Sequence, residues 1–237
     1  IWYRRRMATH EELIAAKTAR VRDFHRIDPR RTALLVIDMQ HAFMDPGASL
    51  GVPTAWDILP NVQAVVAACR KAKLPVVFTE FVSLPDVPTL RKDPFGPEHL
   101  APAAGASTGW GMPSGSCIPG TRGPESPDTI EQLKPLPGEP VVRAHNLDKF
   151  HGTPLDTILR SLDVRHLLVT GILADLCVMA TVFRANTLEY RVTVIRDGIT
   201  TVWPDILKAV LDIYERKLAR VIGAKEAMAE IAAAAAK

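Results

Sequence analysis

Val169-Thr170-Gly171-Ile172-Leu173-Ala174-Asp175-Leu176-Cys177-Val178 is an apolar strand that breaks at a glycine and delivers a lone cysteine into a following helix. The positive end of a helix and its unpaired N–H groups lower a thiol's pKa and can hold an anion on a substrate. Cys177 is therefore a candidate nucleophile. The alternative is a buried, inert cysteine that serves only as a small apolar side chain.

A second stretch, Thr32-Ala33-Leu34-Leu35-Val36-Ile37, is a continuous apolar run of the kind found in central parallel strands. It ends directly in Asp38-Met39-Gln40, so Asp38 stands at a strand's carboxyl end. Ligands bind at that edge of open α/β sheets, where a carboxylate and a thiol from two strands can share one pocket. A capping or loop carboxylate is the plain alternative for Asp38. Between these stretches, Pro75–Thr79 reads as a second strand after a helix from about Asn61 to Ala72. The βαβ order predicts a three-layer, Rossmann-like α/β fold, with a mostly parallel central sheet and helices on both faces.

A third segment, Glu139-Pro140-Val141-Val142-Arg143-Ala144-His145-Asn146-Leu147-Asp148-Lys149-Phe150-His151-Gly152-Thr153-Pro154, reads as a short strand, a polar stretch and a helix start. Thr153 with Pro154 is an N-cap followed by proline at the first helical position. Together the three segments resemble the cysteine hydrolases of the isochorismatase-like superfamily, which includes N-carbamoylsarcosine, ureidoacrylate, biuret and nicotinamide hydrolases. The likeness runs from about Arg31 to about Gly223. The strand-Asp-x-Gln-x-x-Phe motif stands as Ile37 to Phe43, and the Gly-to-Cys-Val motif as Gly171 to Val178, followed by Thr181, Arg184 and Ala185.

The resemblance implies Asp38 as general base, Cys177 as nucleophile, and a cis peptide at Ile172-Leu173 that turns the N–H groups of Leu173 and Cys177 into an oxyanion hole. It also implies a lysine six residues before Phe150, where this chain has Ala144. Two accounts stand. Either the lysine has been replaced, as in a variant made to trap a substrate complex and turning over slowly, or Lys149 has taken over its task. The unbroken spacing around Ala144 favours the first account, with Lys149 a solvated loop lysine. Gln40, Phe43, Trp110, Arg122 and His145 are candidate substrate contacts, each with a structural alternative. The metal-binding members carry an Asp and two His after the first motif. The region from Asp45 to Ile58 holds no histidine, so neither a metal nor another cofactor is expected.

The expected activity is hydrolysis of a C–N bond in a small linear amide, carbamoyl or ureido in kind, through a Cys177 thioester with ammonia release. The rival is a non-catalytic small-molecule-binding protein on the same scaffold, with Ala144 as its natural residue.

The 237 residues, 47% of them hydrophobic, suffice for one domain over residues 31–237, preceded by an extension over 1–30 with a helix at Leu13–Arg22. Residues 83–140, rich in proline and small side chains, read as a long lid excursion over the pocket. A net charge of +3 without a one-sided basic block points to no nucleic-acid or anionic-membrane partner. Three widely spaced cysteines give neither a disulfide framework nor a zinc pattern, which suits a reducing cytoplasm. No membrane span or leader peptide is apparent. By resemblance, the chain is expected to form a homodimer or homotetramer.

Overall fold

The computed structural model describes residues 8–84 and 116–236. Its centre is a six-stranded sheet in the order β3-β2-β1-β4-β5-β6. The strands are β1 (Thr32–Ile37), β2 (Val76–Phe81), β3 (Val141–Ala144), β4 (His166–Ile172), β5 (Arg191–Thr200) and β6 (Arg220–Ile222). Every neighbouring pair is parallel. All residues of β1, β2 and β4 are buried, as strands covered on both faces must be.

Alternate residues of each strand feed two cores. Leu34, Val36 and Phe78 pack with Val62, Val65 and Val66 of α3 (Ala55–Lys71) and with Ala227 and Ile231 of α7 (Ala224–Ala235). Ala33, Leu35 and Ile37 pack on the other face with Leu155 and Leu159 of α4 (Leu155–Ser161), Val178 and Val182 of α5 (Cys177–Thr187), and Val210 of α6 (Pro204–Ile213). The remaining helices are α1 (His10–Phe24), opened by a complete Thr9/Glu12 capping box, and the single-turn α2 (His41–Met44).

Three elements depart from the sequence reading. Helix α3 begins at Ala55 and runs through Pro60, because burial of Ala55, Ile58 and Leu59 holds its first turns although proline supplies no N–H. The three-residue β6 carries no periodicity signal, and only pairing with β5 defines it. The alanine-rich tail, whose small side chains give a weak periodicity signal, buries Ala224, Ala227 and Ile231 against the core. Most of the expected lid lies outside the described residues. Its end after Ser116 forms two 3-10 turns, Gly123–Glu125 and Glu131–Leu133.

The chain leaves β1 toward β2 and β3 on one side, and after β4 toward β5 and β6 on the other. The reversal falls between β1 and β4, where an open α/β sheet forms its binding crevice. Gly171 makes that crevice possible. It pairs with Ile37 at φ +114°, and a Cβ there would stand 2.0 Å from the Ile37 carbonyl oxygen. Gly171→Ala is expected to destabilise the protein by about 3 kcal/mol or more, read as a lowered urea midpoint.

At the opposite end of β4, His166 is buried, bonded through Nε2 to Thr193 Oγ1 at 2.8 Å, and set edge-on to His25. Burial, followed by the charges of nearby His25, Arg220 and Arg191, pushes its pKa down to about 3. The folded protein therefore keeps His166 neutral while the unfolded chain takes up a proton below about pH 6.5. Stability is full above that value and falls as pH drops toward 3. Between pH 7 and pH 5 this group alone removes about 2 kcal/mol, and urea titrations of His166→Gln should show a flatter pH dependence.

Candidate active site

Asp38 leaves β1 with φ +53°, a left-handed conformation that a non-glycine residue adopts at some cost. Two backbone hydrogen bonds fix it: the Asp38 N–H donates to the Thr79 carbonyl at 3.1 Å, and the Gln40 N–H donates to the Asp38 carbonyl at 2.9 Å. The carboxylate is thereby turned over β2, where the Thr79 hydroxyl donates to Oδ1 at 2.7 Å. Asp38 is wholly buried.

The partner of that buried charge is Lys149. Its Nζ lies 2.7 Å from Asp38 Oδ2, and its side chain is 0% exposed. Nζ also donates to the Asn146 carbonyl at 3.1 Å and sits 5.2 Å from the centroid of the Phe81 ring. Burial disfavours the ammonium, but the adjoining Asp38 carboxylate and then the Cys177 sulfur favour it, and its pKa stands above the ordinary lysine value. Lys149 is thus a buried cation.

This overturns two expectations. Lys149 is no solvated loop lysine, and Ala144 does not leave the site without a positive charge. Ala144 ends β3, buried, with its carbonyl accepting from the Val82 N–H at 3.0 Å. It has no polar side-chain group to offer chemistry. Counting residues back from Phe150 missed this cation, because a lysine's four-carbon stem reaches the Asp38 carboxylate from a later point on the connection. The available signal was a charged residue immediately before Phe150, inside a segment that must pass over the sheet's carboxyl edge.

Cys177 opens α5, directly after the turn that follows β4. The Ile172-Leu173 peptide is cis, as the resemblance implied. The Cys177 thiol is buried, and burial raises its pKa most. The Asp38 carboxylate pushes the same way, both as a charge and as an acceptor for the thiol proton, while the Lys149 ammonium and the Leu173 N–H pull the pKa down. Acid, cation, thiol and one backbone donor therefore act on one another in a single desolvated place. The other two thiols, Cys69 and Cys117, are buried and pushed up to about 12 by desolvation. All three cysteines are free.

The expected substrate contacts divide. Gln40 is not available to a ligand. Its Nε2 donates to the carbonyls of Phe81 (2.9 Å) and Pro127 (2.6 Å), and its Oε1 accepts from the Phe81 N–H at 2.7 Å, so the amide is consumed in fastening the end of β2. Phe43 is half-buried and packs on Phe81 at 6.4 Å between centroids. His145 Nδ1 lies 3.1 Å from the Val82 carbonyl oxygen. Arg122 is exposed at the start of a 3-10 turn, and Trp110 lies outside the described residues. Thr79 and Phe81, which sequence reasoning did not select, hold the carboxylate and flank the ammonium. Among the described residues, no group of three or more His, Cys, Asp or Glu side chains is placed to hold a metal ion, and no helix is long and apolar enough to cross a membrane.

A parallel α/β sheet with a buried carboxylate, a buried ammonium and a helix-start thiol at its switch point defines a hydrolase-like site. The isochorismatase domain matches residues 32–226, and the chain belongs to that family, whose members are hydrolases. Among solved structures, a cysteine hydrolase from Pseudomonas syringae pv. phaseolicola 1448A superposes with a TM-score of 0.73 at 24% identity, covering 88% of this chain and 96% of that one. An isochorismatase family protein from Desulfovibrio vulgaris gives 0.71 at 26%, covering 86% and 99%. N-carbamoylsarcosine amidase from Thermoplasma acidophilum gives 0.63 at 26%, covering 82% and 96%.

Removing the ammonium from a buried ion pair leaves an uncompensated carboxylate, at a typical cost of 3–5 kcal/mol. Lys149→Met is therefore expected to lose about 3 kcal/mol at neutral pH, and Asp38→Asn on that background to recover a large part, measured as a double-mutant cycle of urea unfolding.

Proposed function

We propose that this chain is a cysteine amidohydrolase that cleaves the C–N bond of a small linear amide, carbamoyl or ureido in kind, and releases ammonia. The reading rests on one observation above all, the buried Asp38–Lys149 pair acting on the Cys177 thiol. In this mechanism Asp38 takes the thiol proton, and the Cys177 sulfur attacks the substrate carbonyl carbon. The oxygen that becomes negative is received by the N–H groups of Leu173 and Cys177. The C–N bond breaks as Asp38 returns its proton to the leaving nitrogen. Asp38 then removes a proton from water, the resulting hydroxide attacks the thioester, the C–S bond breaks, and the proton goes back to sulfur. Lys149 keeps one positive charge beside the two groups that exchange the proton, which lowers the cost of forming a thiolate in a desolvated site.

A thiol held high in the resting state suits this order, since the nucleophile is formed only while a substrate oxygen is ready to take the negative charge. The binding-protein alternative drew its support from a missing cation, and Lys149 removes that support. The likeness to N-carbamoylsarcosine amidase favours a carbonyl carbon flanked by nitrogen. We further propose a homodimer or homotetramer, supported by the exposed apolar residues Leu13, Ile14 and Phe24 on α1, and a cytoplasmic setting, supported by the free cysteines. Light scattering checks the first and fractionation the second.

The direct test is ammonia release from a panel of small ureas, carbamoyl amino acids and carboxamides. The chain as it stands should be active on at least one. Cys177→Ala should abolish that activity, and Asp38→Asn and Lys149→Met should each lower it by a factor of about a hundred or more. Ala144→Lys should bring no gain. A gain there would return the cation's role from Lys149 to position 144, and a chain that releases no ammonia in either form while binding one compound tightly would defeat the proposal.

A further inference from the structure

Helix α5 carries more than the nucleophile. Cys177, Thr181 and Arg184 stand at i, i+4 and i+7, which places them along one face. Thr181 is fully buried, and its Oγ1 accepts from the Lys149 backbone N–H at 3.2 Å while donating to the Leu147 carbonyl at 3.4 Å. One turn on, Arg184 Nε donates to Asp148 Oδ2 at 3.0 Å. The other Asp148 oxygen accepts from the Phe150 N–H at 2.9 Å, and the Lys149 carbonyl accepts from the Thr153 hydroxyl at 2.6 Å. Residues 147–150 are thus fastened to the nucleophile's own helix and to the turn that opens α4.

We propose that Thr181 and Arg184 are positioning residues which fix the Lys149 ammonium relative to Asp38 and Cys177, so that a single rigid helix sets both the thiol and its cation. A lysine on an irregular connection has four rotatable stem bonds and no strand to aim it, and each anchored backbone group removes freedom that would otherwise let the ammonium drift. The Arg184–Asp148 pair is partly exposed, at 41% and 21%, so it contributes little to stability. Its effect lies in where it holds the Asp148 backbone. The proposal rests on the amidohydrolase reading for its kinetic consequences, but its geometric content stands apart from that reading.

The test uses Thr181→Val, which keeps the shape and removes both hydrogen bonds, Thr181→Ser, which keeps the hydroxyl, and Arg184→Gln. Two readouts are taken on the full chain: kcat and KM on whichever panel amide is hydrolysed, and the rate of Cys177 alkylation by iodoacetamide as a function of pH, which needs no substrate. Thr181→Val should lower kcat by about ten- to a hundredfold with little change in KM. It should also move the alkylation midpoint to higher pH, because the ammonium that pulls the thiol's pKa down is no longer held in place. Thr181→Ser should restore both, and Arg184→Gln should shift both in the same direction by less. In a Lys149→Met background, Thr181→Val should have no further effect on alkylation. Alkylation profiles of Thr181→Val and Arg184→Gln that superimpose on that of the unaltered protein would overturn the proposal. Should Thr181→Val fail to fold, the Arg184→Gln profile decides. If no panel amide releases ammonia while the alkylation profiles shift as described, the hydrolase reading fails and the positioning role stands.

Discussion

The Asp38–Lys149 ion pair is the interaction on which the site depends. Both groups are removed from water at the centre of a parallel sheet, and each charge is tolerable only because the other lies 2.7 Å away. A hydrophobic pair would serve stability as well or better, so an ion pair at this depth is best understood through what it does to its neighbours. It places a proton acceptor and a positive charge beside a thiol that burial alone would keep fully protonated. The rest of the local architecture keeps those three groups in register. Thr79 holds one carboxylate oxygen, Gln40 ties the end of β2 to the segment at Pro127, and Phe81 lies against the ammonium.

That arrangement in turn requires the sheet to open at one position. Parallel strands normally stand about 4.8 Å apart, and the side chains that follow β1 and β4 would collide if both strands ended in ordinary residues. Gly171 lets the Ile37 backbone come close, Asp38 turns away through a left-handed conformation, and β4 passes into the cis Ile172-Leu173 peptide before Cys177. The polar chemistry thus lies where the two halves of the doubly wound sheet diverge, and the helices on either face supply the apolar walls that exclude water.

The position of Lys149 shows how a site can keep its charges while its sequence pattern changes. The family pattern expects the cation at the end of β3, where Ala144 stands; here it arrives five positions later from the connection to α4. A strand-borne lysine is aimed by the sheet, whereas a connection-borne one must be aimed by its neighbours. Helix α5 meets that need with Thr181 and Arg184 on the same face as the nucleophile.

Much of the fold was legible in the sequence, because long apolar runs and helical periodicity report burial residue by residue. Strand β1 matched its expected bounds, the parallel α/β class followed from element order, and the positions of Asp38 and Cys177 at the sheet's carboxyl edge were legible because each directly follows or opens an element that ends there. Strand β6 and the early start of α3 were not legible, since both are held by pairing and packing with distant segments. The cation was not legible either. Sequence determined that a carboxylate and a thiol meet at the switch point. Only the tertiary structure decided which residue neutralises them, because a flexible side chain's reach is measured through space, and spacing along the chain does not constrain it.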